Sequence, residues 1–306
     1  MKDINTGTYP TMITPYHDDN TVDYEAVKNI TYIDNGCTGI FAVCQSSEMI
    51  YLSLDEKVKI AKTVVETVKA SGKNVSVVAS GHNSDDMNAQ IEEMTAIANT
   101  GVDAIVWVSN RLDLHNDGDD VWIKNAEYLL SKLPKDIAIG IYECPYPYKR
   151  LLTPKILDWC ISTGRFAFIK DTCCDPDMLE ARLEQLKGTS IKLFNANSQT
   201  FLYTLRHGAA GFSGIMGNFH PDLYAWVCDN YEKEPEKAER VQGFLTLTAF
   251  LEVLAYPQTA KYHMNKVGVP MSLWSRSCDQ KKFTKYQRMI IDELMQTENH
   301  VRDIIK

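Results

Sequence analysis

Eight short apolar runs punctuate the chain, each followed by a longer segment with helical spacing. They are Tyr9–Thr14, Gly39–Val43, Val75–Ala79, Ala104–Val108, Ile137–Ile141, Phe166–Ile169, Ile191–Phe194 and Ala210–Ile215. Runs of this length read as strands buried on both faces, and strands alternating with helices imply a parallel sheet. The helical segments carry start signals. Ser53-Leu-Asp-Glu56 is a capping box, and Thr153-Pro154 and Asp175-Pro176 each offer an N-cap followed by proline at the first helical position. Leu54, Val58, Ala61, Val65 and Val68 then mark an apolar stripe along the helix that Ser53 opens. Eight strand–helix units are the count of a (β/α)8 barrel. A doubly wound sheet gives the same alternation, but no G-x-G-x-x-G follows the first run. The predicted fold is an α/β (β/α)8 TIM barrel over residues 1–231. Residues 232–306 form a C-terminal helical extension of the same domain, with added helices over Lys261–Pro270 and Asp279–Lys306.

The chain has 306 residues and a formal charge of −8, which disfavours nucleic acid and anionic lipid as partners. No stretch approaches the ~18 apolar residues of a spanning helix, and MKDINTGTYP lacks an apolar signal core, so the expected location is the cytoplasm. The 8 cysteines form no C-x-x-C pair and are expected as free thiols. No H-x-x-x-H or Cys/His cluster is present, so no metal site is expected.

In a barrel, chemistry sits where strands end and βα loops begin. Lys170 closes the run Phe166–Ile169 and Tyr142 follows Ile137–Ile141, which puts them at the mouths of neighbouring strands. A partly desolvated amine there becomes a nucleophile able to form an imine, and a phenol beside it can pass protons. Two plainer readings stand beside these: a strand-end lysine paired with an acid such as Asp171, and a half-buried barrel tyrosine. The loop Cys44-Gln45-Ser46-Ser47-Glu48 offers hydroxyls and turn N–H groups for a carboxylate, or is simply a turn. His82 and Asn83 follow the third strand, Asn110 and Arg111 the fourth, and Asn218 the eighth.

At this point the residues converge on a family. From about Thr8 to Pro221 the chain resembles the dihydrodipicolinate synthase/N-acetylneuraminate lyase family of Schiff-base aldolases. Thr11-Met-Ile-Thr-Pro15 looks like the family's opening strand, and Cys44–Glu48 falls on its G-T-T-G-E. Tyr142 with Pro145 matches Y-x-x-P, Ile169-Lys-Asp171 matches the imine-forming I-K-D, and Gly208-Ala-Ala-Gly211 with Asn218 matches the eighth-strand region. The resemblance implies that Lys170 condenses with a 2-oxo acid such as pyruvate, that Tyr142 shuttles protons, and that Gln45 and Ser46 bind the carboxylate. It also implies that Ser213 lines the lysine pocket through its carbonyl. No organic cofactor is implied, because the lysine supplies the electron sink, and the expected assembly is a homotetramer.

The departures bear on substrate. Cys44 and Ser47 replace the glycines of G-T-T-G-E, and the position of a tyrosine that enters a neighbouring subunit falls on Leu112. Pro147 stands where the lysine-biosynthesis enzyme has a carboxylate-clamping arginine, while Lys149 and Arg150 are expected to begin the next helix. The expected activity is a lyase, aldolase or dehydratase, on a 2-oxo acid derived from a sugar. His82, Asn110, Arg111 and Glu143 are the candidates for reading its hydroxyls or a distal carboxylate. The alternatives are 4-hydroxy-tetrahydrodipicolinate synthesis and a non-catalytic 2-oxo-acid-binding paralogue; a metal-dependent aldolase lacks ligand spacing.

Overall fold

A computed structural model of the chain describes residues 3–306, so the first two residues of the predicted 1–231 segment lie outside the described residues. The barrel units run β1 (Gly7–Thr8), α1 (Tyr24–Asn29), β2 (Gly39–Phe41), α2 (Leu54–Ser71), β3 (Ser76–Ala79), α3 (Met87–Ala98), β4 (Ala104–Val108) and α4 (Asp119–Lys132). They continue as β5 (Ala138–Tyr142), α5 (Pro154–Thr163), β6 (Phe166–Asp171), α6 (Pro176–Leu186), β7 (Lys192–Asn195), α7 (Phe201–Arg206), β8 (Gly211–Phe212) and α8 (Pro221–Asn230). Helices α9 (Pro235–Thr248), α10 (Gln258–Lys266) and α11 (Lys285–Ile305) follow. The sheet is parallel in the order β1-β8-β7-β6-β5-β4-β3-β2. Its two edges meet through a Thr11–Phe41 bridge, with Met12 N donating to the Phe41 carbonyl at 3.0 Å. The chain therefore folds as a (β/α)8 barrel.

The first run is less regular than its sequence suggests. Only Gly7–Thr8 pairs as a strand, because Pro10 has no N–H to continue the ladder. The capping box is formed: Ser53 Oγ accepts from Glu56 N at 3.2 Å, and Glu56 Oε2 accepts from Ser53 N at 2.9 Å. Thr153 and Asp175 cap α5 and α6 as their Pro-following positions predict. The buried stripe of α2 is displaced from the predicted one, however. Lys57, Ile60, Ala61, Val64, Val65 and Val68 are buried, whereas Leu54 and Val58 are half-exposed. Lys57 turns inward because it finds the Gly81 carbonyl at 3.1 Å and Glu93 at 3.4 Å. Ser53→Ala is expected to cost about 1 kcal/mol, the usual worth of such a cap, read as a lower urea midpoint with unchanged slope.

Side chains alternate across each strand, so Phe168 and Lys170 share the inner face of β6. Gly140 and Tyr142 do the same on β5, with Tyr142 and Lys170 in register. Gly140 has to be glycine: a Cβ there would lie 2.2 Å from the Phe168 ring. Phe168 packs edge-on against Phe194 at 5.9 Å, and Phe194 against Tyr9 at 4.7 Å. This aromatic layer fills the barrel below Lys170 and leaves the layer above it open.

The last helices are fastened to the barrel by buried polar contacts. Glu298 on α11 is fully buried and takes hydrogen bonds from His220 Nδ1 at 3.0 Å and His263 Nε2 at 3.1 Å. Burial alone raises a carboxyl pKa, but these two histidines hold Glu298 below the usual carboxylate range. Among the described residues, no helix is long and apolar enough to cross a membrane, and all eight cysteines are free.

Candidate active site

Lys170 and Tyr142 open onto one cavity of about 380 Å³ at the C-terminal mouth of the barrel. The Lys170 amine lies 3.8 Å from the centre of the Tyr142 ring and 5.9 Å from that of Phe41. Both side chains are almost wholly enclosed, at 5% and 4% exposure. Burial pushes the amine down from 10.5 to about 8, with Cys44, Cys144 and Glu252 pulling the other way. Burial likewise holds the Tyr142 phenol well above 10, so it stays protonated at neutral pH.

Asp171 does not pair with Lys170. Arg182 on α6 lies between Asp171 and Glu143, donating to Glu143 Oε1 at 2.7 Å and to Asp171 Oδ2. All three groups are buried. Two other buried lysines are engaged: Lys57 as described, and Lys261 with Glu48 at 3.7 Å and the Trp274 carbonyl. Among the described residues, the Lys170 amine has no hydrogen bond or ion pair.

The loop after β2 forms a 3₁₀ turn, Gln45–Ser47, whose first N–H groups have no partner within the turn. Gln45 and Ser46 line the cavity. Ser47 does not: it is fully buried, and its hydroxyl is spent on the Met12 carbonyl at 2.6 Å and the Ala42 carbonyl at 3.1 Å. Glu48, held at φ 62°, accepts from Ser275 Oγ at 2.8 Å and from the N–H groups of Arg276 and Ser277 at 2.7 Å each. This loop is thereby tied to the C-terminal extension.

The remaining expected site residues separate. Ser213 is buried beside the cavity, but Gly214 and Ile215 line it instead. His82 and Arg111 face a second cavity of about 310 Å³ on the other side of Gln45. His82 accepts from Val108 N through Nδ1 at 2.9 Å, so its Nε2 donates to Gln90 at 2.8 Å. Burial pushes its pKa down to about 4, which keeps the ring neutral. Arg111 pairs with Asp85 at 2.6 Å. Asn110 is consumed by the carbonyls of Cys144, Tyr146 and Tyr148, at 3.0, 2.9 and 2.6 Å, so it holds the loop after β5 and faces neither cavity. Glu143 is spent on Arg182, Leu152 N at 2.7 Å and Thr172 N at 3.0 Å, and it too is absent from the cavity wall.

Lys149 and Arg150 do not begin a helix, since α5 starts at Pro154. Arg150 turns into the protein onto Asp113 at 3.0 Å and Asp119 at 2.7 Å. Lys149 lines the cavity, with its amine on the Thr172 carbonyl at 2.8 Å. Leu112 is fully buried within its own chain.

Further wall residues escaped the sequence reading. Thr172, Cys174 and Asn197 follow β6 and β7, where the same strand-end rule finds them. Glu252, Tyr256 and Ser277 come from the extension, far from any strand end, and carry no sequence signal. Among the described residues, no three histidine, cysteine or carboxylate side chains cluster as a metal site.

A model of the dihydrodipicolinate synthetase family matches residues 5–111. The 4-hydroxy-tetrahydrodipicolinate synthase of Pseudoalteromonas atlantica is 24% identical, over 98% of this chain and 97% of that protein. The enzyme of the same name from Shewanella frigidimarina is 25% identical, over 86% and 88%. Among solved structures, the Escherichia coli K12 prophage protein YagE, of the dihydrodipicolinic acid synthase family and in complex with pyruvate, superposes with a TM-score of 0.84 at 19% identity. It covers 95% of this chain and 98% of its own. The 4-hydroxy-tetrahydrodipicolinate synthase of Methylacidiphilum fumariolicum SolV gives 0.83 at 18% identity, covering 98% of each.

Over residues 5–111 the chain is similar to the dihydrodipicolinate synthetase family, and the solved structures share its fold along nearly the whole length. Of the positions where the sequence departs from the resembled pattern, Gln45 lines the cavity, whereas Cys44, Ser47 and Leu112 are buried away from it. Pro147, which the resemblance sets opposite a clamping arginine, is exposed, and Lys149, two residues on, lines the cavity.

Proposed function

We propose that the chain is a lyase that forms an imine between Lys170 and a 2-oxo acid carrying hydroxyl groups beyond C3. The observation that carries this reading is an unpaired, desolvated amine in register with a protonated phenol, both facing one cavity. With its pKa near 8, about one amine in ten is neutral at pH 7, against well under one in a thousand for a free lysine. The neutral amine adds to the C2 carbonyl, and the carbinolamine loses water to give a protonated imine. That imine accepts the electron pair released when C3 loses a proton or the C3–C4 bond breaks. Tyr142, protonated and adjacent, gives a proton to the C2 oxygen as it leaves and recovers one afterwards. The Ser46 hydroxyl and the leading N–H groups of its turn bind the substrate carboxylate, and Gln45 flanks them. Ser213 acts through the backbone that carries Gly214 and Ile215 to the cavity wall. The distal wall, with Asn197, Ser277, Thr172 and Glu252, is rich in groups that bond hydroxyls.

A second reading is 4-hydroxy-tetrahydrodipicolinate synthesis. The names of the relatives favour it, as does the Lys149 amine, which is placed to meet a distal carboxylate. Two assays separate the readings: pyruvate release from hydroxylated 2-oxo acids, and condensation of pyruvate with aspartate semialdehyde. Turnover only in the second overturns the first reading. The family resemblance also leads us to propose a cytoplasmic homotetramer that acts on small molecules, with mass by light scattering as the check of assembly.

The amine sets a pH dependence. The rate of borohydride trapping with pyruvate is expected to rise about tenfold per pH unit below about 8 and level off above it. A rate that is flat from pH 6 to 9 contradicts a titrating Lys170.

A further inference from the structure

The cavity holds a carboxylate that no protein group has claimed. Glu252 lies on the 3₁₀ turn Ala249–Val253, between α9 and α10. Three residues per turn put positions 249 and 252 on one face and 250 and 253 on another. Ala249 is buried at 2% exposure, whereas Phe250 and Val253 stand out at 67% and 86%. Glu252 therefore points inward, half-buried, onto the cavity that Lys170 and Tyr142 share. Leu251 packs on the core, and the Leu254 N–H closes the turn on the Leu251 carbonyl at 2.9 Å. The turn also packs against Ile215–Asn218, the segment that follows β8.

Other buried carboxylates in this protein have partners: Glu48 has three donors on Oε1 and the Lys261 amine 3.7 Å from Oε2, Glu143 and Asp171 have Arg182, and Glu298 has two histidines. Among the described residues, Glu252 has no hydrogen bond and no ion pair; the charge it faces is that of Lys170. Its oxygens are not enclosed within the chain, so water serves them until a ligand that offers hydroxyl donors takes its place.

We propose that Glu252 is a substrate-contacting specificity residue, accepting hydrogen bonds from hydroxyls on the distal part of a 2-oxo acid and repelling 2-oxo acids that end in a second carboxylate. This rests on the Schiff-base reading of Lys170. Once the amine is consumed as an imine, the carboxylate keeps its acceptor capacity for hydroxyl donors and disfavours a like charge nearby.

The test measures the half-saturating concentration of each 2-oxo acid for borohydride trapping on Lys170. The probes are a 2-oxo-3-deoxyhexonate and 2-oxoglutarate, on the native protein and on Glu252→Gln and Glu252→Asp. Glu252→Gln is isosteric and removes no hydrogen bond within the chain, so folding is not at stake. It is expected to raise the half-saturating concentration of the hydroxylated acid about 10- to 100-fold, the worth of charge-assisted bonds, and to lower that of 2-oxoglutarate. Glu252→Asp, which keeps the charge, is expected to discriminate against 2-oxoglutarate as the native protein does. Equal shifts for both acids, or none, overturn the role of Glu252 while leaving the imine intact. Absence of any Lys170 adduct on the native protein overturns the Schiff-base reading and this inference with it.

Discussion

Lys170→Met is expected to abolish turnover and trapping while making the protein more stable. Loss of the nucleophile removes the covalent path, and the fall in rate should exceed about a thousandfold, as for other enzymes stripped of a nucleophile. The gain in stability follows from the same burial. An amine held near 8 in the folded chain and near 10.5 in the unfolded one makes the charged folded state costlier by on the order of 3 kcal/mol. Below about pH 8 both states are protonated, and the penalty is present in full. Between about 8 and 10.5 the folded amine is neutral while the unfolded one holds its proton, so native stability rises with pH across that window. Methionine fills similar volume without charge. Its advantage in melting temperature should therefore be largest at pH 7 and shrink towards pH 10. A variant that melts below the native protein at pH 7 contradicts a desolvated, unpaired lysine.

The second large effect is expected at Arg182. Its guanidinium, 4% exposed, is shared by Glu143 and Asp171, both at 0%. Removing one member of a buried ionic cluster leaves charge uncompensated, and typical losses are about 3–5 kcal/mol. Arg182→Met is expected to lose that much by urea unfolding at pH 7. The deficit should shrink towards pH 5, because burial raises the pKa of the Glu143 carboxyl, and without Arg182 it takes up a proton more readily in the folded state than in the unfolded one. Glu143 directly follows Tyr142 and Asp171 directly follows Lys170, so this cluster clamps the ends of β5 and β6 on which both reactive side chains stand. Trapping on Lys170 should slow in the variant even under conditions where it remains folded. A loss below about 1 kcal/mol would place Arg182 among ordinary surface pairs instead.

The barrel was legible in the sequence because its signals are local. A capping box spans four residues, and a strand end is marked by where an apolar run meets its first polar residue. Those rules placed Tyr142 and Lys170 on adjacent strand mouths. They failed where a side chain's use is set by a partner far along the chain. Glu143 reads like a cavity residue until Arg182, 39 positions on, takes its carboxylate. Asn110 reads the same way until three carbonyls from 34 to 38 positions away claim its amide. The α2 stripe was misplaced because Lys57 is buried by an acceptor on α3, which no helical periodicity reveals. Glu252 was invisible for a related reason. It reaches the cavity from a turn beyond the barrel, and the buried contacts of Glu48 and Glu298 hold the extension there.

The most direct measurement is incubation with pyruvate and borohydride, followed by intact mass and peptide mapping. One reduced pyruvyl group per chain, on the peptide that contains Lys170 and absent from Lys170→Met, is the predicted result. An unmodified chain, or a pyruvyl group on Lys57 or Lys261 with Lys170 untouched, would contradict the account.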